Sequence, residues 1–188
     1  MILKYVTYSY TIIYLVIKMA KLRLVAMDTS IVDFSCGVHS IDEQIKEAYY
    51  KTLFKQAVAY NVLYNDTLVG NCMLKLVHLV DSNEDFYCGN PHFTALEISY
   101  IAIDEKFQKR GLGTIVLKSL VFRAKKFSDS LPIRYLILDA FKDKEAWYTS
   151  AGFSFYPKEE DMRYPGTVPM KMDFIDRDTV ERAVSREG

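Results

Sequence analysis

Apolar and polar positions along this chain switch between two periods, and the switches predict its elements. Lys21–Val25 alternates and suits a first strand. After Ser40, the apolar residues Ile41, Ile45, Ala48 and Tyr49 return at helical spacing and predict a helix over Ile41–Lys55. Glu43 follows Ser40 by three residues, the spacing of a capping box. Ala57–Tyr64 and Leu68–Val80 flank Asn65-Asp66 and read as a hairpin with a tight polar turn. Asp81–His92 is polar, carries Asn90-Pro91 and reads as a loop. Phe93–Ile103 is a long strand. Gly113–Phe127 places Ile115, Val116, Leu117, Leu120, Val121 and Ala124 on a helical stripe, and Pro132 bars its continuation. Arg134–Phe141 is a nearly continuous apolar run, which predicts a buried strand. Asp143–Ala151 reads as a short helix closed by Gly152. Phe153–Tyr156 and Val168–Phe174 are short strands, and a charged tail starts at Asp176. The order β-α-β-β-β-α-β-α-β-β predicts an α/β fold with one mixed sheet.

The first eighteen residues differ from the rest. They hold four of the 14 tyrosines and no acidic residue, and thirteen uncharged residues separate Lys4 from Lys18. A spanning helix needs about 20 apolar residues, so no membrane span is expected here. A charged start and apolar middle suit a signal peptide, but no small-x-small cleavage site follows. Tyr, Thr, Ile and Val at this density favour a strand. Three readings fit the segment: an extra strand or interface segment, an over-extended start with Met19 as initiator, or a membrane-surface anchor. The expected organisation is 1–18 as an extension, 19–175 as one domain, and 176–188 as a tail.

Composition narrows the class. The 188 residues carry 24 Lys+Arg against 24 Asp+Glu, which speaks against a dedicated nucleic-acid binder. Half the residues are apolar, enough for a core and too many for a disordered chain. Three cysteines without a Cys-x-x-Cys make a disulfide scaffold improbable and favour a reducing, cytoplasmic setting. Cys36 and His39 are two metal-type ligands without a second pair, so no metal is expected. The zero net charge also hides a segregation. Asp104–Lys126 carries seven basic and two acidic residues, which leaves the rest of the chain acidic.

That basic segment holds the most informative stretch, Ile101-Ala-Ile-Asp-Glu-Lys-Phe-Gln-Lys-Arg-Gly-Leu-Gly-Thr114. A strand ends, a short loop follows, and a helix begins at once. The helix start offers N–H groups without intrahelical partners and the positive end of a dipole. Gly111 and Gly113 let backbone approach a ligand closely. Together they would cradle a pyrophosphate, with Lys109 and Arg110 beside it. Two structural glycines in a strand–helix turn would look the same. The spacing matches neither the Walker pattern nor GxGxxG.

Gln108-Lys-Arg-Gly111-Leu-Gly113 after a strand resembles motif A of the GCN5-related N-acetyltransferase (GNAT) superfamily, Gln/Arg-x-x-Gly-x-Gly/Ala. Ala146-Trp-Tyr-Thr-Ser-Ala-Gly152-Phe153 resembles that family's later signature, a helix with Tyr four residues before Gly-Phe. The resemblance covers about Met19 to Phe174. Asp33-Phe-Ser-Cys-Gly-Val-His-Ser-Ile-Asp42 is similar to a subgroup that includes toxin-type acetyltransferases acting on aminoacyl-tRNA. Two departures stand out: Glu105 where the family often has Pro, and no Asn near Asp143 and Lys144 at the start of the later helix.

The resemblance implies a single GNAT domain with a mostly antiparallel sheet and one splayed parallel pair, Phe93–Ile103 and Arg134–Phe141. Acetyl-CoA, as cosubstrate, would pair its pantetheine with the backbone of Ile101, Ala102 and Ile103. Its pyrophosphate would sit on Gln108, Lys109, Arg110, Gly111, Leu112, Gly113 and Thr114. Direct attack by a primary amine needs a base, for which Glu97 is the candidate, and the leaving thiolate needs an acid, at the position of Tyr148. Glu97 reads equally as a strand residue facing solvent or a Lys, and Tyr148 as a half-buried helix aromatic. Trp147 reads as core or pocket wall, His78 as a satisfied core residue, and His92 as a loop residue near the cofactor strand. Cys72 reads as core and Cys88 as a loop thiol. The expected function is N-acetyl transfer to an unidentified amine. The alternatives are a toxin of a toxin–antitoxin pair, with an antitoxin and tRNA as partners, and a non-catalytic acyl-CoA-binding module. A homodimer is compatible with either.

Overall fold

The computed structural model describes residues 22–29, 31, 33–80, 92–157 and 164–184. The extension 1–18, the start at Met19, most of the loop Asp81–His92 and Cys88 lie outside the described residues.

Seven strands and four α-helices are found among the described residues: β1 (Leu22–Ala26), α1 (His39–Leu53), β2 (Val58–Tyr64), β3 (Thr67–Val80), β4 (His92–Ile103), α2 (Leu112–Ser128), β5 (Ile133–Phe141), α3 (Glu145–Ser150), β6 (Ser154–Phe155), β7 (Thr167–Asp173) and α4 (Arg177–Val184). The strands form one mixed, mostly antiparallel sheet in the order β1-β2-β3-β4-β5-β7-β6. The expected order of elements is therefore found, with α4 added in the charged tail.

The chain packs as two compact units. The first takes the described residues up to Met73 together with Ile101–Val116; the second takes Leu74–Tyr100 and the described residues from Leu117 on. In the first unit, Asn65 and Asp66 have φ of 49° and 64°. Two left-handed residues in succession are what a tight hairpin needs, and Asn and Asp tolerate that conformation. β1 pairs antiparallel with β2 from Leu22↔Tyr64 to Ala26↔Tyr60. Asn71 is fully buried on β3, and its amide donates to Asn61 Oδ1 at 3.0 Å, so the group is not left unpaired.

The second unit holds the one parallel pair. β4 and β5 are in register from Thr94↔Ile133 to Glu97↔Ile137, with a bulge between Thr94 and Ala95. Beyond that, β4 runs on to Ile103 and β5 to Phe141. β5 is buried on both faces, as its apolar run predicts, and pairs antiparallel with β7 from Tyr135↔Asp173 to Phe141↔Thr167. Ala95, Tyr135, Ile137 and Tyr156 form a core cluster with Val77, Leu79 and Phe93 packed against it.

Three local expectations are corrected. The capping box at Ser40 does not form: the N-cap of α1 is Val38, which makes no side-chain cap bond. The helix starts two residues too early for Ser40 to cap it, and Asp42 instead turns back to accept from Cys36 N–H at 2.8 Å and from the Ser35 hydroxyl at 2.9 Å. His78 is exposed rather than core, because β3 alternates from Lys75 onward with its even positions outward. Ile115 lies on the exposed side of α2, while Val116, Leu117, Leu120 and Ala124 are buried as expected.

Candidate active site

The turn between β4 and α2 is built by hydrogen bonds from several directions. Asp104 N–H donates to Val69 O at 2.9 Å, and the Asp104 carboxylate caps a short 3₁₀ turn over Glu105–Phe107 by accepting from Lys106 N–H at 2.9 Å. Gln108 Nε2 donates to Cys36 O at 2.8 Å and to Ile103 O at 2.9 Å. Arg110 donates back to Lys106 O at 2.9 Å and stacks over Phe107 at 5.4 Å. The backbone alternates around Gln108: Lys109 has φ 59° and Gly111 φ 77°. A lysine in the left-handed region stores strain of about 1–2 kcal/mol, and such strain gathers at functional sites. A Cβ on Gly111 would meet no atom within 4 Å, so its outer side is open. α2 starts in the next residue, at Leu112. The combination puts two left-handed residues directly before a helix start, an arrangement that suits a phosphate.

The sequence-predicted residues divide here. Gly111, Leu112, Gly113 and Thr114 stand at the helix start, and Lys109 is exposed beside it. Gln108 and Arg110 are engaged inside the turn. The Gln108 N–H leans back to Glu105 O at 3.4 Å and its side chain braces two carbonyls, so it shapes the cradle. Ile101, Ala102 and Ile103 close β4, with Ala102 buried and the two isoleucines half-buried.

Two supporting residues escaped sequence reasoning. A Cβ on Gly70 would lie 2.4 Å from Ala102 O, so only glycine lets β3 pass this close to the end of β4. A glycine inside a strand pattern was the available signal. The second is the Ser35–Gly37 loop. Glu105 N–H donates to Ser35 O at 3.0 Å, a bond that Pro could not make, and a Cβ on Gly37 would fall 2.8 Å from Glu105 Oε1. The departure from Pro at this position thus has a local use. Cys36, in the same loop, is buried and its thiol is pushed up to about 11 by burial and then by the Asp42 carboxylate. That makes it unreactive. His39 faces solvent, and no cluster of three metal-type ligands exists among the described residues.

In the second unit, Glu97 is half-buried on β4 and pairs with Lys75 on β3 at 2.9 Å. The bulge at Thr94/Ala95 precedes it, so Glu97 keeps strand parity with Ser99 and the residues that follow. Tyr148 sits on α3, with its ring 4.6 Å from Trp147 and 5.9 Å from Phe153. Burial pushes its phenol up to about 12. At neutral pH it is therefore a firmly protonated donor. The helix is closed at Gly152, with φ 96°, and Phe153 N–H returns to Tyr148 O at 3.2 Å.

A mixed, mostly antiparallel sheet with one parallel pair, and a strand–turn–helix segment at the end of β4, are the features that bear on the class of this fold. The family model described as the acetyltransferase (GNAT) family matches residues 28–153, and the chain belongs to that family. No curated protein sequence matches it significantly. Among solved structures, a bacterial toxin is similar at 19% identity and TM-score 0.69, over 87% of this chain and 95% of its own. A tyrosine-to-phenylalanine mutant of KacT is similar at 16% identity and TM-score 0.68, over 87% and 98%. AtaT complexed with acetyl-methionyl-tRNAfMet is similar at 15% identity and TM-score 0.66, over 87% and 99%. At these identities the likeness concerns the fold. Among the described residues, no helix is long and apolar enough to cross a membrane.

Proposed function

We propose that this chain is an N-acetyltransferase that moves an acetyl group from acetyl-CoA to a primary amine by direct attack. The observation that carries the reading is the turn at Asp104–Thr114, with its left-handed Lys109 and Gly111, open outer side and immediate helix start. In this reading the pyrophosphate rests on the backbone from Lys109 to Thr114, with Gln108 and Arg110 bracing it, and the pantetheine pairs with Ile101–Ile103. Glu97 accepts the proton of the amine and Tyr148 returns one to the CoA thiolate. A phenol held protonated by burial suits the second role. The structures similar in fold include AtaT with its antitoxin and acetyl-CoA, which supports acetyl-CoA as cosubstrate.

The purified chain should melt at a higher temperature with acetyl-CoA, and should release free thiol when given amines. Failure to bind any acyl-CoA would sink the reading. A chain that binds acetyl-CoA but releases no thiol over a broad amine panel would be a binding module instead.

A second reading is favoured by two observations. A bacterial toxin and the AtaT toxin are similar in fold, and the Asp33–Asp42 stretch that resembles toxin-type relatives bonds to the motif A turn through Ser35 O and Cys36 O. In it the acceptor is the amino group of an aminoacyl-tRNA, and an antitoxin binds the chain. The acidic remainder of the chain weighs against extended phosphate contact. Toxic expression, relieved by a small neighbouring gene, would select this reading; harmless expression without such a gene would reject it. A cytoplasmic setting and a homodimer belong to both readings.

A further inference from the structure

Ser99 lies two residues beyond Glu97 on β4. Its Oγ is buried and has no hydrogen-bond partner in the protein. Buried hydroxyls are nearly always paired, so an orphan marks the place of a partner that the chain itself does not supply. The parallel register of β4 with β5 ends at Glu97↔Ile137, two residues before it. Strand alternation puts Ser99 on the face of Glu97: both are half-buried, while Ile98 between them is buried. Residues two apart on a strand are separated by roughly 6.6 Å. Two hydrogen bonds through one small group of about 2.8 Å each close such a gap. Lys75 Nζ, at 2.9 Å from Glu97 Oε1, fixes the carboxylate that ends the line.

We propose that Ser99 is a catalytic residue whose Oγ receives the N–H of the attacking amine and passes a proton towards Glu97. The inference rests on the acetyl-transfer reading and adds to it the group that touches the acceptor. As the amine nitrogen bonds to the acetyl carbon, its proton moves to Ser99 Oγ. The serine's own proton moves through a water to the Glu97 carboxylate. The C–S bond breaks, the thiolate takes the proton of Tyr148, and solvent carries the Glu97 proton back to the phenolate. The products are an amide and free CoA thiol.

Crystals of the full chain grown with CoA and n-butylamine provide the test. The expected result is an amine nitrogen or a water within about 3.2 Å of Ser99 Oγ and on the side of Glu97. CoA bound with the Ser99 hydroxyl dry, or turned onto a backbone carbonyl, overturns the proposal and leaves the acetyltransferase reading standing. No CoA binding at any concentration overturns both. In solution, with n-butylamine as acceptor probe, Ser99→Ala should lower kcat about 10–100-fold while the rise in Tm caused by acetyl-CoA stays the same. Ser99→Thr, which keeps the hydroxyl, should recover most of the rate. An alanine variant with wild-type kcat, or one whose loss is matched by lost acetyl-CoA binding, overturns the role.

Discussion

The turn at Asp104–Thr114 and the stretch Glu145–Phe153 both carry family signatures, but different physics holds them. The turn is fixed by hydrogen bonds to Val69, Cys36 and Ser35 and by residues in the left-handed region. The second stretch is held mainly by rings that meet at an angle, Trp147 tilted by 58° against Tyr148 and Tyr148 edge-on to Phe153, with Phe153 N–H returning to Tyr148 O. Directional bonds give a rigid backbone surface, which is what binding a phosphate requires. Ring packing shields the phenol from part of the solvent, which is what raises its pKa. The difference teaches that binding and chemistry should separate under mutation: changes in the turn should weaken cofactor affinity, and changes at Tyr148 should slow turnover.

The largest effect expected is at Tyr148. Tyr148→Phe keeps the ring packing and removes the proton, so kcat should fall on the order of 10²–10⁴-fold. The stabilisation by acetyl-CoA should be unchanged. Equal losses in kcat and in acetyl-CoA affinity would erase the separation and remove Tyr148 from the acid role.

Next comes the fold beneath the cradle. Gly70→Ala forces a methyl to within 2.4 Å of Ala102 O, where only backbone can yield. The expected cost is about 1–3 kcal/mol, or a fall in Tm of roughly 2–4 °C for each kcal/mol. Unchanged thermal unfolding would mean that β3 and the end of β4 adjust freely. Gly111→Ala isolates the cradle itself. No clash occurs there, so only the left-handed backbone resists, at about 1–2 kcal/mol. Relaxing that strain would shift the N–H groups, and acetyl-CoA affinity should fall about tenfold, measured by calorimetry, with Tm lowered by roughly 2–8 °C. Full retention of affinity would show that the positive φ at Gly111 plays no part in binding.

Much of this was legible in the sequence, and the gaps have physical causes. Periodicity placed the seven strands, although both residues of the short β6 are exposed, and the double burial of β5 appears as its nearly unbroken apolar run. The motif A turn was legible because glycine spacing reflects backbone angles. The bonds by which the Gln108 and Arg110 side chains brace the turn were not, since they reach carbonyls that no local pattern names. The cap of α1 was misread because Ser40 competes with Asp42, and only the path of the Ser35–Gly37 loop decides between them. Lys75 as partner of Glu97, and the orphan Ser99 hydroxyl, depend on which residues face each other across strands, and no local pattern encodes that.

The smallest effects separate the two regions by pH. Tyr148 has a folded pKa of about 12 against an ordinary value of 10.0, so the folded state holds the phenolic proton more tightly. Its contribution to stability is fully present below pH 10 and is lost as pH rises through about 12, on the order of 2 kcal/mol in all. Asp42 behaves in the opposite sense. Burial tends to raise its pKa, but hydrogen bonds from the Cys36 N–H, the Cys36 thiol and the Ser35 hydroxyl outweigh this and hold it below 3.8. Its contribution is present above pH 3.8 and fades as pH falls below it, and it should be the lesser of the two. Guanidinium unfolding across about pH 2–12 reads both. Asp42→Asn should flatten the acid limb alone, and Tyr148→Phe the alkaline limb alone. A variant that flattened both limbs would mean that the loop under the turn and the aromatic stretch are coupled, and the division between a hydrogen-bonded binding region and a packed chemical one would fail.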